Sequence, residues 1–371
     1  MPAVAAFGLC EVPVMSVSIS RLVSYEPGSQ TDRSTALYGC RGWDPALSAM
    51  EIDPVHPASQ SSGDQTLAAV ARVMDAATSS EGLLETAVNY HRESGGVAWR
   101  VRLALERSAA FSIPHENAVR LAAACELAHQ ASIVHDDVQD RSSLRRSRAS
   151  ALDRFGAPVA ICLGDHLLVA AFAIIADMPR CGPLVRFFAA CIGQAAAGQA
   201  DEFSPDLWQC MDLSRYRAMV EGKAGAMVAL PIGGALVLAG SPKGEVEAVG
   251  RAAKALGAAY QASDDVEDIA SDLARGTLNG LVVAALQSQA PPERHALLRL
   301  LERGRQHGLP PAEAVVQAQR LRPSLPALVG WANGVLAEAT ASHHAVAPVL
   351  SQAAALLADK LNRALAVSHA A

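Results

Sequence analysis

Two long, alanine-rich stretches of this chain end in the same acidic spelling, and that pairing limits the possible folds more than any other feature. One runs from His115 to about Asp140 and closes with His135-Asp136-Asp137-Val138-Gln139-Asp140. The other opens at Ser241-Pro242, runs to about Asp272 and closes with Ser263-Asp264-Asp265-Val266-Glu267-Asp268. Both read D-D-x-x-D. Residues four apart share a helix face, so Asp136 is expected beside Asp140, and Asp264 beside Asp268 and Asp272. Like charges at that spacing repel. They also sit near helix C-termini, where the macrodipole disfavours them. A solvated acidic helix end explains one such cluster. Two of them, on two otherwise apolar helices, call for a shared cation. Carboxylate oxygens are hard ligands, and a few from each helix, with water and phosphate oxygens, complete the octahedral shell of Mg²⁺.

The rest of the chain is helical in pattern. Pro114 and Pro242 stand where a helix accepts proline, at its first turn. Further helices are expected over 154–178, 183–203, 213–239, 280–304, 311–321, 327–345 and 347–367, with Pro310-Pro311, Pro323 and Pro326 as breaks. Val-Ile-Thr runs of strand type are nearly absent. Hydrophobic residues are 51% of 371, enough for a large core, and aromatics only 4%, which argues against an aromatic-rich sandwich. The expected class is all-α, a bundle of long helices around one interior. Residues 1–62 mix Pro, Gly and Ser without helical period and read as a poorly ordered extension. Residues 63–371 read as one all-helical domain.

Lys plus Arg is 31 against 37 Asp plus Glu, a net charge of −6, so no nucleic-acid partner is expected. A long uncharged run, Ala224–Pro242, contains Pro231 and several Gly and barely reaches the length of a bilayer span. It reads as a kinked core helix, so no membrane span is expected. Seven Cys without a C-x-x-C pair fit reduced thiols and a cytoplasmic location. Basic residues accompany the acids: Arg145 and Arg146 follow the first cluster, and Lys223 stands alone in an apolar stretch. Arginine forks and a single ammonium suit phosphate oxygens, so acids and bases together suggest a site for a metal-bound diphosphate.

The blocks Cys125 to Asp140, Arg145-Arg146, Gly164-Asp165-His166-Leu167-Leu168, Lys223-Ala224-Gly225 and Tyr260 to Asp268 resemble, in order, those of the trans-isoprenyl diphosphate synthases (polyprenyl synthetases). The resemblance spans roughly 65–367. It implies a helical homodimer with an apolar central cavity, and it implies condensation of an allylic diphosphate with isopentenyl diphosphate. Mg²⁺, several ions per site, neutralises the leaving diphosphate. The allylic C–O bond ionises, the isopentenyl double bond attacks the cation, and a proton is lost. It implies Asp136, Asp140 and Asp264 as principal metal ligands, with Asp137, Asp265 and Asp268 in support. Arg145 and Lys223 match contacts to the allylic diphosphate. Arg146, His129 and Arg100 match contacts to isopentenyl diphosphate, and Gln261 matches a residue beside the second aspartate region.

Two departures stand out. The upstream block of the family carries a Lys where this chain has Val97, in Gly95-Gly96-Val97-Ala98-Trp99-Arg100, and Thr277 stands where a second Lys is expected. Each lost charge-assisted hydrogen bond costs about 1.5–3 kcal/mol. The leading expectation is a chain-elongating prenyltransferase. A terpene-synthase-like lyase or cyclase, ionising without condensing, and a non-catalytic partner subunit are the alternatives. Ser132 and Ala131, four and five residues before Asp136, are small. In this family bulky aromatics there stop growth early, so a product of fifteen or twenty carbons is expected, with twenty, geranylgeranyl diphosphate, preferred.

Overall fold

The computed structural model describes residues 60–93, 99–146, 148–204, 208–341, 354–355 and 357–364. The expected extension, 1–62, lies outside this set except for its last three positions. Those already belong to helix α1 (Gln60–Ala77). The Gly95-Gly96-Val97-Ala98 segment also lies outside it.

Helices α2 (Gly82–Glu93) and α3 (Trp99–Ala110) lead into α4 (His115–Gln139), the first aspartate helix. A small hairpin follows, β1 (Leu144–Arg145) against β2 (Arg148–Ala149), with Arg145 opposite Arg148. Then come α5 (Ala151–Phe155), α6 (Ala157–Ala176) and α7 (Cys181–Glu202). Helix α8 (Leu213–Val220) passes through a π-helical turn, Glu221–Gly225, into α9 (Ala226–Ala239). The second aspartate helix, α10, is the longest at 33 residues (Lys243–Arg275). It is followed by α11 (Gly280–Ser288), α12 (Pro291–His307), α13 (Pro311–Leu321), a 3₁₀ turn and α14 (Leu325–Ala341). Residues 357–364 are helical as well.

The all-α expectation holds, with local differences. The single helix expected over 280–304 is two, because Pro291-Pro292 lack the N–H groups an interior turn needs and start a new helix instead. The hairpin was not foreseen. The expected 213–239 helix is one path, but with the wider turn at 221–225 inside it. Pro231 lies within α9 without ending it.

Helix α4 is apolar on nearly every side, with Leu121, Ala122, Ala123 and Ala124 all at 0% exposure. It packs along α6 and across α3, while α9 packs between α7 and α10. A helix buried all round needs small side chains for close neighbours, which accounts for the alanines. By length and composition, Ala157–Ala176 and Leu213–Ala239 are both apolar enough to cross a bilayer. The second is mostly buried against its neighbours.

Candidate active site

The first aspartate region is the last turn of α4. Asp140 caps the helix, its N–H bonding to the Asp136 carbonyl at 2.8 Å. Arg141 then takes a left-handed conformation (φ 52°), and the Ser142 N–H closes back on the Asp137 carbonyl. This is the usual way to end a helix, though glycine normally supplies the positive φ. Arg146, at the hairpin turn, is also left-handed (φ 51°). Both arginines hold a conformation that costs non-glycine residues of order 1–2 kcal/mol.

Asp136 and Asp137 point differently. Asp137 is 2% exposed and accepts from Arg145 through Nε at 3.1 Å and Nη2 at 2.5 Å. Asp136 makes no such pairing among the described contacts. Burial pushes its carboxyl up, and Lys223 only partly opposes this. One oxygen of Asp140, Oδ1, is buried with no hydrogen-bond partner among the described residues. His135, next to Asp136 in the chain, lies against Gly164, where an added Cβ would collide with the ring. Its Nε2 reaches Asp165 at 3.3 Å. The glycine thus joins the Gly164-Asp165 block to the first aspartate region.

The second region divides in the same way. Asp265 is buried, and its carboxylate accepts from Gln261 Nε2 at 2.8 Å, the Tyr216 hydroxyl at 2.6 Å and the Gly280 N–H at 2.5 Å. Asp272 accepts from Arg275 and from Asn279 at 2.7 Å. Asn279 also caps α11 through the Leu281 N–H and donates to the Asp265 carbonyl. Asp265 and Asp272 are therefore structural anchors that fix the start of α11. The expectation that Asp272 lies beside Asp264 is corrected: eight residues rotate about 80° past two turns, seven only about −20°, so Asp272 shares the face of Asp265. Asp264 and Asp268 lie on the other face. Asp264 is pushed up to about 7 by burial, against the partial relief of Lys360. Lys360 Nζ stands 3.6 Å from Asp264 and 3.0 Å from Glu267.

Lys223 connects the two regions. It sits in the π-helical turn and donates to Glu202, at the end of α7, at 2.5 Å. Burial alone would lower its pKa. Glu202, Asp136 and Asp140 outweigh that and hold it above its ordinary value. Its charge also acts on Asp265. The turn is seated by backbone contact: a Cβ on Gly198 would meet the Lys223 nitrogen at 2.6 Å, and one on Gly225 the Lys254 carbonyl at 2.6 Å. π-Turns within α-helices recur at functional sites because they re-aim a side chain. Glu202, Tyr216, Asn279 and Lys360 were not singled out from the sequence. Only the lone glutamate before the Phe203-Ser204-Pro205 break offered a hint.

A second, basic group lies where α3 meets α4. Arg100 Nη1 donates to His129 Nε2 at 2.8 Å. Arginine cannot accept, so His129 carries its proton on Nδ1. That Nδ1 and Arg100 Nε are both buried without a hydrogen-bond partner among the described residues. Burial, then the Arg100 charge, holds His129 well below its usual pKa. The Arg100 guanidinium stacks on Trp99 at 4.4 Å. Unsatisfied buried donors beside fixed positive charge make an anion site.

Comparison with known proteins points to one family. A sequence profile described as polyprenyl synthetase matches residues 81–318. An all-trans-nonaprenyl-diphosphate synthase (geranyl-diphosphate specific) of Rhodobacter capsulatus is 30% identical over 268 residues, 68% of this chain and 81% of that protein. A short chain isoprenyl diphosphate synthase of Methanothermobacter thermautotrophicus is 29% identical over 228 residues, 57% of this chain and 69% of that protein. The crystal structure of a polyprenyl synthase from Caulobacter crescentus CB15, complexed with calcium and isoprenyl diphosphate, superposes with a TM-score of 0.69 at 22% identity. The match covers 81% of this chain and 95% of that one. That likeness establishes the shared all-α fold.

Proposed function

The chain belongs to the polyprenyl synthetase family and is a trans-prenyltransferase; from that premise we propose that it condenses an allylic diphosphate with isopentenyl diphosphate, with Mg²⁺ held between its two aspartate regions. The observation that carries the reading is Lys223, whose ammonium acts at once on Asp136 and Asp140 of α4 and on Asp265 of α10. One cation tying both acidic helix ends together is what a shared diphosphate site requires.

The donors fit Mg²⁺. Asp140 keeps a buried oxygen without a partner among the described residues, and Asp136 and Asp264 are desolvated carboxylates whose ionised form a cation would favour. Among the described residues no three such groups converge closely enough to enclose a metal by themselves. Asp136, Asp140 and Asp264 would hold the ions, with Asp268 one turn further on. Asp137 and Asp265 serve behind them: internal donors already occupy most of their lone pairs, and they orient Arg145 and Gln261 instead. When bound, Mg²⁺ supplies positive charge to the departing diphosphate.

Lys223 and Arg145 meet the allylic diphosphate as it departs, at the point where negative charge develops. Arg100, His129 and Arg146 hold isopentenyl diphosphate. The interior faces of α4 and its neighbours keep water from the allylic cation. The allylic C–O bond breaks first and its electron pair leaves with the diphosphate. The isopentenyl double bond then attacks the allylic cation to form the new carbon–carbon bond, and the resulting cation loses a proton. Ser132, one turn before Asp136, and Ala131 leave room beyond a ten-carbon tail. We assign a product of fifteen or twenty carbons, twenty preferred. A homodimer in the cytoplasm, with α6 and α9 as packed helices rather than spans, completes the proposal.

The test is an incubation with Mg²⁺ and geranyl diphosphate, with and without labelled isopentenyl diphosphate. Label in a longer prenyl diphosphate supports the proposal. Hydrocarbon or alcohol formed without isopentenyl diphosphate, or no turnover at all, contradicts it.

A further inference from the structure

Gln130 lies one turn after Glu126 on α4, and its amide donates to that carboxylate at 2.5 Å. Its carbonyl oxygen meets Nε2 of His91, in the last turn of α2, at 2.8 Å. A carboxylate can only accept, so Glu126 sets which way the Gln130 amide faces. Gln130 in turn asks for a proton on His91 Nε2. The relay fixes both the tautomer and the tilt of the imidazole.

The ring has no catalytic or binding role in the account so far, yet it lies within the basic group. The charges of Arg146 and Arg145 act on it, and it acts in turn on His129. Glu126 is the acid acting on both Arg100 and Arg146. Arg145 is paired with Asp137, while Arg100 and Arg146 share Glu126 beside two imidazoles, which leaves the group net positive in a partly buried place. Such an arrangement is stable only with an anion to share.

We propose that His91 is a binding residue for the diphosphate of the isopentenyl substrate, oriented by the Glu126–Gln130 relay and completing the pocket of Arg100, His129 and Arg146. This rests on the assignment of that pocket to isopentenyl diphosphate. In the free protein, burial first and then Arg146 and Arg145 hold His91 below its ordinary pKa, so the ring is neutral. An arriving diphosphate offsets the arginines and favours the imidazolium, so binding takes up a proton. Other charged neighbours are committed elsewhere. On α2 itself Arg92 is tied to Asp75 and Asn89, and Glu93 to Arg148. Arg154 of α5 lies over Tyr90. On α6, Asp165 meets His135 and His166 meets the Thr78 carbonyl.

The test is calorimetric titration of the full chain with isopentenyl diphosphate near neutral pH, in two buffers of different ionisation enthalpy. The proteins are wild type, His91→Asn, Gln130→Leu and Arg146→Ala. His91→Asn keeps a donor for Gln130 but cannot be protonated. It should weaken binding about tenfold, the size of one charge-assisted hydrogen bond, and remove the proton uptake. Gln130→Leu should act in the same direction, less strongly, and affinity for geranyl diphosphate should stay unchanged in both. Wild-type affinity and unchanged proton uptake in His91→Asn, with Arg146→Ala impaired, would overturn the role of His91. If Arg146→Ala also binds like wild type, the pocket assignment itself fails.

Discussion

Lys223, from a π-helical turn, donates to Glu202, from the last turn of α7, at 2.5 Å, and this buried ion pair touches the field of both aspartate regions. Glu202 itself is pushed up by burial and restrained by Lys223, so each partner keeps the other charged. The pair sets a fixed ammonium where the diphosphate is proposed to leave.

Glu202→Gln should therefore lower turnover about tenfold, because Lys223 keeps its place but loses the counter-ion that offsets its desolvation. Lys223→Met should lower it further, about a hundredfold, the usual loss for one electrostatic donor. Steady-state kinetics on both, with an urea melt to check folding, decides this. Equal activity in Lys223→Met and wild type would remove the lysine from the site.

The two aspartates of each D-D pair should separate cleanly. Asp136→Ala and Asp264→Ala should abolish turnover and leave helical circular dichroism intact. Asp265→Ala strips the acceptor from Tyr216, Gln261 and Gly280, and should cost about 3 kcal/mol of stability. Tyr216→Phe should cost about 1 kcal/mol. Near-normal rates in either of the first two variants would contradict the division into metal-facing and inward-facing carboxylates.

Product length should respond at the turn before Asp136. Ala131→Phe and Ser132→Phe should shorten the product, read by mass spectrometry of the extracted diphosphates. Ala131 is 2% exposed, so its variant is also expected to lose stability through overpacking. An unchanged product from both would show that the floor of the cavity lies elsewhere.

Metal and diphosphate should stabilise the fold together. With neither present, the carboxylates of α4 and α10 repel. Mg²⁺ plus inorganic pyrophosphate should raise the melting temperature by more than the sum of each alone. Strict additivity would mean that the two bind at independent places.

The 3.6-residue period made both aspartate helices legible, and with them the faces of Asp136, Asp140, Asp264 and Asp268. Doubling the four-residue step misled over Asp272, because each such step drifts about 40° and two of them turn it onto the face of Asp265. Lys223 was visible as a lone charge in an apolar run, but its partner was not. Glu202 is twenty-one residues away, and nothing local in the sequence encodes a meeting made by two packed helices. Gly198, Gly222 and Gly225 permit the close approach, yet glycine alone does not announce a π-turn. The break at Pro291-Pro292 could have been read. The strained Arg141 and Arg146 could not, since arginine carries no preference for positive φ.

The central claim is that both aspartate regions hold one cation–diphosphate assembly. Titration of the full chain with Mn²⁺ in place of Mg²⁺, in the presence of inorganic pyrophosphate, tests it most directly when read by electron paramagnetic resonance. The account predicts that Asp136→Asn and Asp264→Asn each weaken Mn²⁺ binding and that each variant also loosens pyrophosphate. Full wild-type binding of metal and pyrophosphate in Asp264→Asn, with loss confined to Asp136→Asn, would contradict it.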